Sequence, residues 1–205
     1  DFLDRFFAHY LRKRDKVMWG EKTPSNAYCV KQLKQIYPEL RIIHLVRDGR
    51  DVTCSLMGRT SNAYQAASNW VYNVAAATQA QQLDGYLCLS YEKLVQDPEG
   101  SLRQVCRHLD VPFTSAMLQE QAADDYWNKY SNKNIHASWG NSPLSGAISG
   151  SSVGRYKEDM TPEMAWLFWH MWLTPFSRRR LQTSFKNAVD LMQFHQYITS
   201  RPMEE

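Results

Sequence analysis

Two short apolar runs, RIIHLV at 41–46 and YLCLS at 86–90, each pass without a break into a helix start, and this alternation restricts the chain more than any other feature. Runs this short and this β-branched fit buried parallel strands better than helices. Parallel neighbours need crossover connections, and the stretches between these runs carry helical periodicity. The pattern therefore predicts an α/β chain: a three-layer parallel sheet flanked by helices. A third strand is predicted at 16–20 (KVMWG).

Helices are predicted around this frame. Residues 2–14 place Phe2, Leu3, Phe6, Phe7, Tyr10 and Leu11 on one helical face. Thr23-Pro24 opens a helix running to about Tyr37, and Asp48 caps one running to about Gly58. Residues 62–82 form a long helix with Trp70, Val71 and Val74 inward. Pro98 opens a helix through Leu109. Thr161-Pro162-Glu163 opens another that carries Trp166, Phe168, Trp169 and Trp172, and a last helix covers about 178–197. Residues 128–154 are rich in Asn, Ser and Gly and read as a long loop, a kind of segment that often carries function.

With 205 residues, 43% hydrophobic and 22% charged, the chain has the composition of one globular domain spanning 1–205. The net charge of +3 suits a small anionic ligand and falls short of a nucleic-acid-binding surface. Cys29, Cys54, Cys88 and Cys106 share no metal-ligand spacing, so they read as buried reduced thiols and no metal site is expected. His44, His108, His136, His170 and His195 read as structural. No apolar run reaches the ~18 residues of a membrane span, and the opening residues do not read as a signal peptide. No membrane contact is expected.

Four constellations carry candidate chemistry. Arg47 ends a strand and precedes a helix start, with Ser55 two turns along and Arg59 one turn further on the same face. These three can converge on one phosphate, because guanidinium forks and a short hydroxyl both donate to it. A capped helix whose arginines pair with Asp48 and Asp51 on the surface would give the same spacing. Glu21-Lys22 sits at a strand-to-helix turn, where a base and an electrostatic stabiliser could stand side by side; an exposed ion pair at a helix start is the plainer reading. Tyr91 follows the 86–90 strand, placed either to meet a purine ring or to pack against a helix. Ser152-Val153-Gly154-Arg155 closes the long polar loop, where glycine allows N–H groups to approach an anion and Arg155 adds charge. A loop with a solvated arginine is the alternative.

The order of these segments, EKTP, RIIHLVRDGRDVTCSLMGR, YEKLVQDP and GRY, resembles the sulfotransferase family that uses 3′-phosphoadenosine 5′-phosphosulfate (PAPS). The likeness covers roughly 16–175 and includes features of bacterial-type, tyrosylprotein and heparan sulfate sulfotransferases. It implies a P-loop NTPase-like sulfotransferase fold. It implies that Arg47 and Ser55 hold the 3′-phosphate, with Arg59 added as in the tyrosylprotein branch. Tyr91 corresponds to the tyrosine that meets adenine, and Ser152, Gly154 and Arg155 to the loop closing over the 3′-phosphate. Glu21 corresponds to the catalytic base of the heparan sulfate 3-O-sulfotransferases, and Lys22 to a lysine near the transferring sulfonate.

The resemblance thus implies transfer of sulfonate from PAPS to an acceptor hydroxyl, on a small molecule, a sugar or a tyrosine side chain, with no metal. The family's Pro-x-x-Gly-Thr-[Thr/Ser] loop, which cradles the 5′-phosphosulfate, has no counterpart before Glu21. The fold is therefore expected to be N-terminally incomplete, lacking the first strand. A degenerate, non-catalytic nucleotide-binding or interaction domain is the alternative function. A nucleotide kinase would need a GxxxxGK[ST] loop, which the sequence lacks. An aromatic tract at 126–139 (Tyr126, Trp127, Tyr130, Trp139) is a candidate acceptor lining. The expected compartment is a bacterial-type cytoplasm, or the Golgi lumen for a eukaryotic chain.

Overall fold

The computed structural model describes residues 2–119 and 150–199. The aromatic tract at 126–139 and most of the predicted 128–154 loop lie outside them. Helix α1 spans Phe2–Lys13. A 3₁₀ turn at Pro24–Tyr28 leads into α2 (Val30–Ile36), strand β1 (Ile42–Val46), α3 (Gly49–Thr60) and α4 (Ala63–Thr78). Strand β2 (Tyr86–Ser90), α5 (Tyr91–Gln96) and α6 (Pro98–Leu109) follow. After the undescribed stretch come α7 (Tyr156–Asp159), α8 (Pro162–Trp169), α9 (Pro175–Leu181) and α10 (Ala188–Phe194).

The helix starts follow local chemistry. Asp48, Asn62, Asp97 and Thr161 each accept a backbone N–H from the first turn of the helix they cap, and Pro98 and Pro162 sit where a missing N–H does no harm. Helix α3 ends at Ser61 and α6 at Asp110, both left-handed with φ of 49° and 58°.

The expected three-layer, P-loop-like parallel sheet is not formed by the described residues. They are predominantly helical, and their sheet holds two strands only, β1 and β2, paired in parallel with Ile42 opposite Tyr86 and Val46 opposite Ser90. A three-layer sheet needs apolar cover on both faces, yet Ile43 and Leu45 on one face of β1 are 41% and 49% exposed. The predicted strand at 16–20 is irregular. Its apolar residues find no neighbouring strand: Val17 is 96% exposed, and Trp19 stacks on Phe7 of α1 at 4.1 Å between ring centres. The helix predicted from Thr23 to Tyr37 divides at Cys29, where φ is −126°. The last predicted helix divides into α9 and α10, because Gln182 turns left-handed with φ of 54° and Asn187 bridges to Trp172.

The core centres on α4. Its small residues Ala66, Ala67 and Ala75, with Val71, are fully buried. They let α3, α8 and α10 approach closely, so that Phe168, Leu191 and Met192 also lose all contact with solvent. Gly49 opens α3 where the packing is tightest. A Cβ there would lie 2.6 Å from Phe168 Cζ and 2.7 Å from Trp70 Cδ2. Both are core rings with little room to move, so Gly49→Ala is expected to destabilise the chain by about 1–3 kcal/mol, read as a lower urea midpoint with an unchanged slope.

On the other face of β1, His44 Nδ1 lies 2.8 Å from the Tyr86 hydroxyl, and His195 Nε2 lies 3.2 Å from Thr78 Oγ1. The two imidazoles meet edge to face at 5.7 Å. Burial pushes both pKa values down to about 4, and for His44 the neighbouring His195 adds to the effect. An unfolded imidazole titrates near 6.5, so the unfolded chain binds more protons than the folded one between pH 6.5 and 4. Stability is then complete above pH 6.5 and is lost as pH falls toward 4. A series of urea midpoints from pH 7 to 4.5 is expected to fall steadily, and to fall less steeply in His195→Gln. A flat series would mean that the histidines are not buried in the neutral form.

Candidate functional site

The carboxyl ends of β1 and β2 lie side by side, and three carboxylates organise them. Asp48 caps α3 through Oδ1, which accepts the Arg50 N–H at 2.8 Å, and its two oxygens receive the Arg50 guanidinium at 3.0 and 2.6 Å. Arg50 also lies over the Tyr156 ring at 3.8 Å. This arginine is therefore occupied structurally. Glu92, on the first turn of α5, accepts the Asp48 N–H at 2.9 Å through Oε1, and the hydroxyls of Ser90 and Tyr197 at 2.7 and 2.8 Å through Oε2. The Tyr197 hydroxyl is also 3.2 Å from the Val46 carbonyl. Burial, and after it the Glu92 carboxylate, raise the pKa of that phenol.

Asp51, fully buried in the first turn of α3, is the third carboxylate. It accepts the N–H of Tyr156 through Oδ1 at 3.0 Å and the N–H of Gly154 through Oδ2 at 2.8 Å. The same Oδ2 lies 3.4 Å from Arg47 Nη2.

Arg47 stands at the centre of this arrangement. The Trp70 indole N–H bonds its carbonyl at 3.0 Å, which fixes the backbone where β1 ends. Its Nη2 donates to the Ser152 carbonyl, and its guanidinium lies 4.9 Å from the centre of the Tyr91 ring. Its Nε is buried without a hydrogen-bond partner among the described residues. A buried, unsatisfied donor on a charged group is costly, and an anionic oxygen would satisfy it.

The structure thus brings Arg47, Tyr91, Ser152 and Gly154 together from segments far apart in sequence. Ser55 follows Asp51 by one turn on α3 and is half-buried, and Arg59 is exposed in the last turn of that helix. Arg155 bonds Asp159 through Nε at 3.2 Å. It also lies close enough to α3 to act on Cys54: burial raises that thiol's pKa, Asp159 and Asp51 add to the rise, and Arg155 opposes it.

Glu21 and Lys22 lie on the irregular segment before the 3₁₀ turn, and both are exposed. The recorded partners of the Glu21 carboxylate belong to its own turn: Thr23 Oγ1 donates to one oxygen and Asn26 Nδ2 to the other. Glu21 is therefore not joined to the Arg47 cluster by these bonds. The pairing of arginines with Asp48 and Asp51 that the spacing allows is formed, Arg50 with Asp48 and Arg47 with Asp51, but with both carboxylates buried; Glu92 and Tyr197 have no such forewarning. The bonds made by Glu92 and Tyr197 cross 44 and 105 residues, and nothing local announces them.

The cysteines are all free, with Cys54 and Cys106 buried, Cys29 half-buried and Cys88 exposed. Among the described residues there is no group of three or more His, Cys, Asp or Glu suited to a metal ion, and no helix is long and apolar enough to cross a membrane.

A candidate protein-tyrosine sulfotransferase of Caenorhabditis elegans is 28% identical over 134 residues, covering 59% of this chain and 51% of that protein. The omega-hydroxy-beta-dihydromenaquinone-9 sulfotransferase of Mycobacterium bovis is 27% identical over 118 residues, covering 49% of this chain and 30% of that one. The chain thus spans about half of the length of the first relative and less than a third of the second. Among solved structures, the sulfotransferase domain of the Synechococcus PCC 7002 olefin synthase superposes with a TM-score of 0.58 at 22% identity, covering 80% of this chain and 62% of that domain. At that identity the likeness concerns the fold alone. The profile of the sulfotransferase family matches residues 1–115, a stretch that includes both strands, Arg47 and Tyr91. The chain belongs to the sulfotransferase family.

Proposed function

We propose that the cluster at the strand ends binds the 3′-phosphate of a 3′-phosphoadenosine nucleotide, and that this chain is the nucleotide-holding part of a PAPS-dependent sulfotransferase. The observation that carries the reading is Arg47, a guanidinium at the end of β1 whose buried Nε has no partner among the described residues. Its surroundings support it. Tyr91 offers a ring beneath the guanidinium, and the Ser152 carbonyl accepts from its Nη2 while the Gly154 N–H bonds Asp51 beside it. Ser55 and Arg59 lie along the α3 face that starts at Asp51, ready to add a hydroxyl and a second charge. Arg155, on the closing segment, would add a third. Tyr91 would meet adenine, and Ser152 and Gly154 would hold the closing segment against the phosphate.

In the complete reaction, bound PAPS would supply an electrophilic sulfur for the hydroxyl of a small molecule, sugar or tyrosine, leaving 3′-phosphoadenosine 5′-phosphate. Glu21 would take the hydroxyl proton and Lys22 would offset charge building on the sulfonate oxygens. The clamp on the remote 3′-phosphate would supply binding energy and alignment. The geometry at Glu21 favours a narrower role for the chain by itself. Its carboxylate is exposed and bonded to Thr23 and Asn26, outside the Arg47 cluster. On this reading the chain as given binds the nucleotide without turning PAPS over.

Calorimetric titration with 3′-phosphoadenosine 5′-phosphate and with 5′-AMP tests the proposal. The chain is expected to prefer the 3′-phosphorylated nucleotide, and Arg47→Ala to remove that preference. A lost charge-assisted contact of this kind weakens binding about ten- to a hundredfold. Equal affinity for the two nucleotides in the unmodified chain would overturn the clamp. Incubating the chain alone with PAPS and a phenolic acceptor is expected to give no sulfated product above the rate without protein; product formation would assign it the full reaction.

A further inference from the structure

Asp51 bonds two parts of the cluster at once, from one carboxylate. Its carboxylate is fully buried, and it receives the N–H of Gly154, the N–H of Tyr156 and the Arg47 guanidinium. The first two donors belong to a segment more than a hundred residues later in the chain, and the third belongs to the proposed phosphate clamp. Arg47 returns the connection by donating to the Ser152 carbonyl of that same segment. Gly154 has φ of +77°, a conformation open to glycine, and in it the backbone N–H is directed at Asp51. Helix α7 begins at Tyr156, and Arg155 before it gives no side-chain cap; Asp51 supplies the acceptor from α3 instead. Burying a carboxylate is expensive unless it is fully bonded. An apolar residue would hold α3 against α7 more cheaply, yet it would fix neither the Arg47 guanidinium nor the backbone of the closing segment.

Resting on the clamp reading above, we infer that Asp51 is a positioning residue for the 3′-phosphate. It orients Arg47 and holds the 152–156 backbone so that both approach the same phosphate oxygens, without touching the nucleotide itself. Two opposite effects follow from its charge. A carboxylate near a phosphate repels it, which would weaken binding. Two backbone N–H groups and the Arg47 cation already offset that charge, so alignment outweighs repulsion, and removing Asp51 weakens the phosphate-dependent part of binding.

The test titrates the unmodified chain, Asp51→Asn and Asp51→Ala with 3′-phosphoadenosine 5′-phosphate and with 5′-AMP, after far-UV circular dichroism shows that each variant is folded. Asparagine keeps the volume but has one acceptor oxygen for two backbone N–H donors and no charge to pair with Arg47. Both variants are expected to lose at least about tenfold in affinity for the 3′-phosphorylated nucleotide, with 5′-AMP changed less than about twofold. Equal losses for both nucleotides would make Asp51 a fold residue only. Unchanged or tighter binding of the 3′-phosphorylated nucleotide would show that repulsion, not alignment, is its main effect. Either result overturns the inference while leaving the clamp intact. An unmodified chain that does not distinguish the nucleotides removes the clamp and this inference together. Should the variants not fold, hydrogen exchange on the unmodified chain decides the matter. Exchange in 150–157 is expected to slow several-fold with the 3′-phosphorylated nucleotide but not with 5′-AMP. Equal protection by the two would overturn the inference.

Discussion

A parallel pair of five-residue strands carries few ladder hydrogen bonds, and in this chain one of its faces is partly open, so the carboxyl ends of β1 and β2 must be held by other groups. Glu92 does this. Its carboxylate gathers the Asp48 N–H beyond β1, the Ser90 hydroxyl at the end of β2 and the Tyr197 hydroxyl from beyond α10. Everything at the site inherits its position from that junction. With Asp48 held there, α3 starts where its cap can form. With α3 in place, Asp51 and Ser55 present the same helix face, and Arg47 is left at the strand end with its carbonyl pinned by Trp70. Losing the Glu92 carboxylate would orphan several donors together, each costing about 1–3 kcal/mol when buried.

The packing beneath the junction explains why the site is rigid at its base. Alanines on α4 allow α3, α8 and α10 to close on it, and Phe168 and Trp70 meet at Gly49, the first residue of α3. The helix that carries Asp51 and Ser55 is therefore anchored at the end nearest the site. The other side of the site is built differently. The closing segment is held by backbone N–H groups on one carboxylate and by one carbonyl on one arginine, with little apolar burial of its own.

How much of this was legible depends on the range of the interaction concerned. The strands at 42–46 and 86–90 and the caps at Asp48 and Thr161 rest on apolar runs and local side-chain bonds, so they could be read directly. The segments around Arg47, Tyr91 and Gly154 stood out as strand ends and a glycine turn, and the fold carries them to one place. The run at 16–20 misled because an apolar stretch becomes a strand only beside another strand. Here Trp19 found Phe7 of α1 instead. The three-layer sheet failed for the same reason: alternation along the chain predicts strand and crossover, but the number of strands in a sheet is a property of the assembled chain.

The sequence by itself determined the local grammar of this protein: which residues start and stop helices, which runs are extended, and which cations stand at strand ends. These follow from backbone sterics and from hydrogen bonds within a few residues. Only the tertiary structure decided that Asp51 would be buried beneath the 152–156 segment, that Arg50 would be consumed by Asp48 and Tyr156 while the Arg47 Nε has no partner among the described residues, and that Tyr197 would complete the strand-end junction. The physical reason is the same in each case. Whether a buried charge is satisfied depends on donors brought from distant parts of the chain, and that pairing exists only once the helices have packed.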